Sequence, residues 1–160
     1  MRRIVPLLSL LFVLTACTSP PQAAAGSAGL DSVPADARTL ESHGWRLASA
    51  TDAGGGSIAA LFPDPAAPLR IAFADGRVAV SGGCNRLSAA YTLERGTLEV
   101  GPVAQTKMFC GGGALMAADE AIATRLRGRL SASTRDGRLL LETATGDRLL
   151  LDADPGAATP

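Results

Sequence analysis

Three cysteines, one histidine and an adjacent pair of acids are the side chains of this sequence whose types could carry covalent, acid–base or metal chemistry. Cys17 stands directly behind an apolar run, and Cys84 and Cys110 lie deep in the chain. In an exported protein, two such cysteines are more often bonded to each other than free. A redox or metal pair is the rival reading. No CxxC is present, and His43, the single histidine, has no ligand cluster around it, so no metal is expected. A Ser-His-Asp arrangement would have to use His43, which sits at the end of a low-complexity stretch, and there is no G-x-S-x-G. Asp119 and Glu120 are neighbours in a helical pattern, so they point in different directions and cannot face each other as a catalytic pair. Gly54-Gly55-Gly56 lacks the flanking strand, helix and lysine of a phosphate loop. These residues predict a modification and a crosslink, not an enzyme, and no cofactor.

The N-terminus supplies the context for Cys17. Arg2 and Arg3 precede Ile4 to Leu14, an apolar stretch interrupted mainly by Pro6 and Ser9. It is shorter than the roughly 20 residues a permanent span needs and suits a secretory signal. Leu14-Thr15-Ala16-Cys17 resembles a bacterial lipoprotein lipobox. That resemblance implies removal of residues 1–16 and diacylation of Cys17 as the first residue of the mature chain. Two acyl chains hold a protein to a bilayer stably, whereas one is marginal. The implied partner is the membrane, through the N-terminal lipid, and the implied location is the cell envelope. Thr18, not Asp, follows Cys17, which in a Gram-negative host is compatible with an outer-membrane position facing the periplasm.

The rest of the chain has single-domain size. The whole sequence has 15 basic and 15 acidic residues; losing Arg2 and Arg3 leaves 13 basic against 15 acidic, a net charge of −2. This is not the footprint of a nucleic-acid binder, and no run of Lys or Arg marks lipid binding beyond the anchor. Residues 17–40, with Cys17 at their head, are rich in Ser, Pro, Ala and Gly without a hydrophobic period. They read as the lipidated cysteine and a flexible tether. A folded unit is expected over residues 41–153, and a disordered tail over 154–160.

Within that unit most of the pattern is strand. Trp45 and Leu47 begin it; Leu69, Ile71 and Phe73 alternate with Arg70, Ala72 and Ala74. Asp75-Gly76, Arg95-Gly96, Asp136-Gly137 and Thr145-Gly146 read as turns. Val78 and Val80, then Leu87, Ala89, Tyr91 and Leu93, then Leu98 and Val100, continue the period of two. Leu130, Ala132 and Thr134 alternate likewise, and the triplets Leu139–Leu141 and Leu149–Leu151 suggest strands covered on more than one side. One helix is predicted over Ala114 to Arg127, with Leu115, Ile122 and Leu126 on its apolar face, Met116 and Ala118 close by, and Gly128 ending it. The fold class that follows is α+β: a curved, mostly antiparallel sheet with one helix packed against it.

Two segments carry a family resemblance. Ser81-Gly82-Gly83-Cys84-Asn85-Arg86-Leu87-Ser88 leads to Tyr91, and Gly101 to Cys110 contains Thr106-Lys107-Met108-Phe109-Cys110. With Trp45-Arg46-Leu47 ahead of them, they resemble the META domain family, which includes the HslJ-like heat-shock lipoproteins. The resemblance runs from Gly44 to Asp152. It departs at Gly111 to Gly113, where relatives often carry proline and polar residues, and at Ile122, where an aromatic is common. It implies that the sheet is partly open and barrel-like, wrapped around or against the helix, and that Cys84 and Cys110 staple the turn before one strand to the segment before the helix. It also implies a non-enzymatic binding or scaffold role in envelope or heat stress or antibiotic tolerance, with an unknown envelope protein or lipid as partner. Secretin pilot lipoproteins have similar architecture, so the alternative is a carrier holding an acyl chain or partner peptide in an apolar groove. Asn85, Arg86, Thr106 and Lys107 form the candidate binding patch. Asn85 also reads as a turn residue, and Arg86 as a solvated strand residue.

Overall fold

The computed structural model describes residues 32–155. The expected signal peptide, Cys17, the tether as far as residue 31 and tail residues 156–160 lie outside the described residues. Ten strands form, in chain order β1 (Val33–Pro34), β2 (Gly44–Thr51), β3 (Arg70–Ala74), β4 (Arg77–Ser81), β5 (Leu87–Glu94), β6 (Thr97–Val100), β7 (Ala104–Gln105), β8 (Gly128–Arg135), β9 (Arg138–Thr143) and β10 (Arg148–Asp154). Helices α1 (Ala37–Glu41) and α2 (Ala114–Leu126) and a 3-10 turn (Ala59–Leu61) complete the fold.

Period-two patterning requires each strand to bury one face, and a sheet closed on itself buries all of them together. The order β8-β6-β5-β4-β3-β2-β10-β9 is antiparallel throughout, and β8 pairs β9, so eight strands close into a barrel. The sheet expected to be partly open is therefore complete around its circumference. Trp45, Leu47, Ile71, Phe73, Val78, Val80, Leu87, Ala89, Leu98, Leu130, Leu139 and Leu149 fill the interior. The leucine triplets resolve into ordinary alternation. Leu139, Leu141, Leu149 and Leu151 point inward at 0 % exposure, while Leu140 and Leu150 sit opposite each other outside, half-buried. The cover those triplets suggested is this side-by-side outer pair, not a second layer.

The hairpins set the register. Asp75-Gly76, Arg95-Gly96 and Asp136-Gly137 all have positive φ at both residues, the backbone that a tight two-residue hairpin demands. All three turns fall at one end of the barrel, beside α1. Trp45 Nε1 donates to the Leu40 carbonyl at 2.9 Å, and Tyr91 Oη donates to Glu41 Oε1 at 2.6 Å. The packed unit thus starts before residue 41. Val33–Pro34 pairs with β8, Asp36 caps α1 by accepting from Thr39 N at 2.7 Å, and Ala35 and Leu40 are buried. At the other terminus the last strand runs through Asp154, one residue beyond the expected limit.

Helix α2 and the 3-10 turn pack together at the opposite end, and Arg125 Nε lies 2.9 Å from Asp147 Oδ2 in the β9–β10 turn. Gly128 follows the helix with φ +89°, as a terminating glycine should. The buried face of α2 is Ala118, Asp119, Ile122, Ala123 and Leu126. Leu115 is only half-buried and Met116 is exposed, so the apolar face is turned further round the helix than the sequence suggests.

Candidate functional site

The two family motifs meet at the α2 end. Cys84 and Cys110 form a disulfide with Cα atoms 5.8 Å apart, as the residue pattern indicated. Beside it, Asn85 N and Asn85 Nδ2 both donate to Asp119 Oδ2, at 2.8 and 2.9 Å. Asn85 Oδ1 accepts from Thr106 Oγ1 at 3.0 Å and from Met108 N at 2.8 Å. Thr106 Oγ1 also accepts from Arg86 N at 3.2 Å. One buried asparagine thereby joins the start of β5, the segment after β7 and the middle of α2. Asn85 is 7 % exposed and Asp119 2 % exposed. With both Asn85 amide atoms and Asp119 Oδ2 engaged, this buried cluster favours one arrangement of the chain.

The glycines of the motif make room for this clasp. A Cβ on Gly83 would collide with Asp119 Oδ1. Gly82 has φ +97°, and a Cβ there would sit 2.7 Å from the Pro68 carbonyl oxygen. Only glycine satisfies both positions. Asn85 is not among the positive-φ residues, so its part in the motif is played by its side chain and not by a left-handed turn.

Asp119 is the residue sequence reasoning missed. Read as an ordinary helix acid, it is instead the acceptor at the centre of the clasp. The signal was present: Leu115, Asp119, Ile122 and Leu126 follow the spacing of one helical face, and an acid inside an apolar stripe is a buried acid.

Of the expected binding patch, Asn85 is inside, and Thr106, Arg86 and Lys107 are exposed. Neither the Arg86 guanidinium nor the Lys107 ammonium has a partner among the described residues. Arg86 borders a groove of about 580 Å³ on the outside of the barrel. Its floor is a row of small side chains that pair across four strands: Ala72 with Ala79, Ala79 with Ser88, and Ser88 with Ala104. A barrel's outer face is convex, so four adjacent small residues are what leaves a hollow. Arg70 stands at the other rim, paired with Asp154 at 2.8 Å. The groove is not between helix and sheet, where the carrier reading expected it; there Ile122 and Leu126 are packed into the core.

His43 is at the α1 end. Its ring lies 4.3 Å from that of Trp45, and its Nδ1 is 2.7 Å from Ser42 Oγ. Ser42 Oγ donates to the Thr39 carbonyl at 2.8 Å, which leaves it to accept from the imidazole and closes the end of α1. A serine nucleophile needs the opposite sense, with the hydroxyl donating to the ring. Among the described residues no group of His, Cys, Asp and Glu is arranged to hold a metal, and no helix is long and apolar enough to cross a membrane.

The META domain family model matches residues 38–155. The fold is similar to an NMR structure of a protein from Burkholderia xenovorans, with 25% sequence identity and a TM-score of 0.61, covering 78% of this chain and 94% of that one. A second NMR structure shares the fold at 23% identity and a TM-score of 0.56, over 76% of this chain and 97% of the other. So does the crystal structure of a DUF4847 family protein from Bacteroides vulgatus, at 14% identity and a TM-score of 0.51, over 74% and 96% of the two chains. No curated protein matches the chain.

Proposed function

Since the chain belongs to the META domain family, we propose that it is a lipid-anchored, non-enzymatic binding module of the cell envelope, of the HslJ-like kind, acting in envelope or heat stress or antibiotic tolerance. The observation that carries this reading is the outer groove with its unpaired Arg86, set on a barrel whose interior is filled by side chains. A packed barrel offers a surface, not a chamber. Anchoring through Cys17 would hold that surface near the membrane and raise its effective concentration towards partners there. Of the two carrier alternatives, a peptide suits the groove better than an acyl chain. Its floor is Ala and Ser, and Arg86 is the unpaired cation on its rim, which favours a partner with a carboxylate over a hydrocarbon tail.

Two substitutions test the two halves of this proposal. After a high-salt wash, which strips electrostatic contacts but not acyl chains, Cys17→Ala should leave the membrane fraction for the soluble one; attachment unchanged by the wash would refute the anchor. Ala79→Trp fills the groove from a half-buried outward position without touching the core. In a deletion strain under heat or antibiotic challenge, the Ala79→Trp form should fail to restore growth although it is folded and attached. Full restoration would remove the groove from the mechanism.

A further inference from the structure

Aromatic residues are scarce here, with four Phe, one Trp and one Tyr, and among the described residues the fold spends most of them on packing. Trp45, Phe73 and Tyr91 are buried, and Phe62 packs against the core. Phe109 breaks that usage. It is 86% exposed, Met108 beside it is 60% exposed, and Met116 in the first turn of α2 is 39% exposed. The segment is not slack. Cys110 is tied to Cys84, Met108 N donates to Asn85 Oδ1 at 2.8 Å, and Thr106 N donates to the Arg86 carbonyl at 3.1 Å. A loop fixed on both sides that turns its two large apolar side chains to solvent is preorganised for contact.

Charge and size say what the contact is. From Val103 to Ala118 the sequence has no Asp or Glu, and Lys107 is its one charge. The fold pairs the backbone of Arg86, just before β5, with that of Thr106, which adds a second cation at the root of the loop although no run of Lys or Arg announces it. Two or three side chains fall far short of the roughly 800 Å² per partner that a stable protein interface buries. They are enough for a shallow entry into a bilayer surface, where apolar side chains sit at the headgroup–acyl boundary and neighbouring cations meet phosphates. We propose that the Thr106–Gly111 loop is a second membrane contact, in which Phe109 and Met108 enter an anionic bilayer surface and Lys107 and Arg86 lie against its phosphates.

The path of the chain permits this. The loop is at the α2 end, opposite β1, where the described residues begin. Residues 18–31, fully extended, reach roughly 45–50 Å, against roughly 26 Å for an eight-residue strand. The domain can therefore lay its α2 end on the same bilayer that would carry residue 17. Arg86 is shared with the rim of the groove, but the apolar pair and Lys107 are not, and the test uses these and requires neither the groove nor acylation.

The chain from residue 17 onward, carrying Cys17→Ser, is mixed with vesicles of phosphatidylglycerol and phosphatidylethanolamine, and separately with vesicles of phosphatidylcholine. It should float with the anionic vesicles and be released by salt. Met108→Ser combined with Phe109→Ser should abolish flotation, and Lys107→Ala should weaken it roughly fivefold, the factor for one cation near an anionic surface. These side chains are exposed, so circular dichroism and melting temperature should stay at wild-type values. Phe109→Trp should shift its emission to the blue on vesicles and be quenched by brominated acyl chains. Absence of flotation, or flotation indifferent to the double substitution, overturns the proposal. So does a concentration-dependent dimer that Phe109→Ser dissolves, since the patch would then belong to a second copy of this chain.

Discussion

Replacing Asp119 probes the clasp with two variants that should differ sharply. Asp119→Ala leaves Asn85 N and Asn85 Nδ2 without a protein acceptor, in a site where Asn85 is 7% and Asp119 2% exposed. A hydrogen bond to a charged group is worth about 1.5–3 kcal/mol, and two that share one residue add to less than their sum. The loss should therefore be about 3–5 kcal/mol, a large share of the roughly 5–15 kcal/mol that holds a domain folded. At about 4 °C per kcal/mol for a domain of this size, the melting temperature should fall by about 12–20 °C. Asp119→Asn has a different outcome because both bonds converge on Oδ2 while Oδ1 faces Gly83 without a hydrogen bond. An amide can keep its oxygen on the Asn85 side and turn its nitrogen towards Gly83. Both bonds then survive without the charge, at a cost of about 1–2 kcal/mol. Urea or thermal unfolding at neutral pH, with the disulfide intact, measures both. Equal losses in the two variants, or less than 1 kcal/mol for alanine, would refute the account of Asp119 as the shared acceptor.

Three further outcomes follow from the same geometry. Gly83→Ala places its methyl where Asp119 Oδ1 sits, so it should destabilise nearly as much as Asp119→Ala, and the double variant should lose clearly less than the sum of the two in a double-mutant cycle. Cys84→Ser with Cys110→Ser opens a loop whose ends are 26 residues apart, which by chain entropy should cost about 3–4 kcal/mol in urea titration; a loss under 1 kcal/mol would make the bond incidental. Tyr91 is held above its ordinary phenol value, first by burial and then by its hydrogen bond to Glu41. A raised value means the stability it contributes is complete below the unfolded value near pH 10 and is lost as the pH climbs beyond it. Tyr91→Phe should cost about 1–2 kcal/mol at pH 7 and flatten the alkaline fall above pH 10; an unchanged alkaline limb would contradict that assignment.

Much of the barrel was legible because its signals are local. Asp75-Gly76 and Asp136-Gly137 announce hairpins by their own chemistry, and period-two alternation from Leu69 to Val100 gives each strand an inside and an outside. Closure was not legible. β6 meets β8 across the whole of α2, and no residue in either strand names the other as its neighbour. Helix α1 was hidden for another reason. Its cap, Asp36 with Thr39, is an ordinary N-terminal signal, but it lies in a stretch whose Pro, Ala and Gly content reads as tether. The groove was out of reach of a linear reading altogether. Ala72, Ala79, Ser88 and Ala104 are unremarkable apart from one another, and only the registers of three strand pairs put them in a row.

The departure of the chain from the barrel explains why the two family motifs form one object. β6 and β7 lie in succession along the same edge of β5, but only β6 also pairs with β8. After Val100 the chain leaves the closed sheet to reach α2, and β7 is left with β5 as its single neighbour. A two-residue strand paired on one side has little to hold it. The disulfide, the Asn85 amide and the Asp119 carboxylate fall where β7 would otherwise peel away, and they fasten it to β5 and to the helix together. Ala104, which closes the row of small residues under the groove, and Phe109, which stands exposed beyond it, are both placed by that fastening. Within the motifs, Cys84, Asn85 and Cys110 are therefore structural. The surfaces they hold in place are the two on which the proposals rest: the hollow beside Arg86 and the apolar loop beside Lys107.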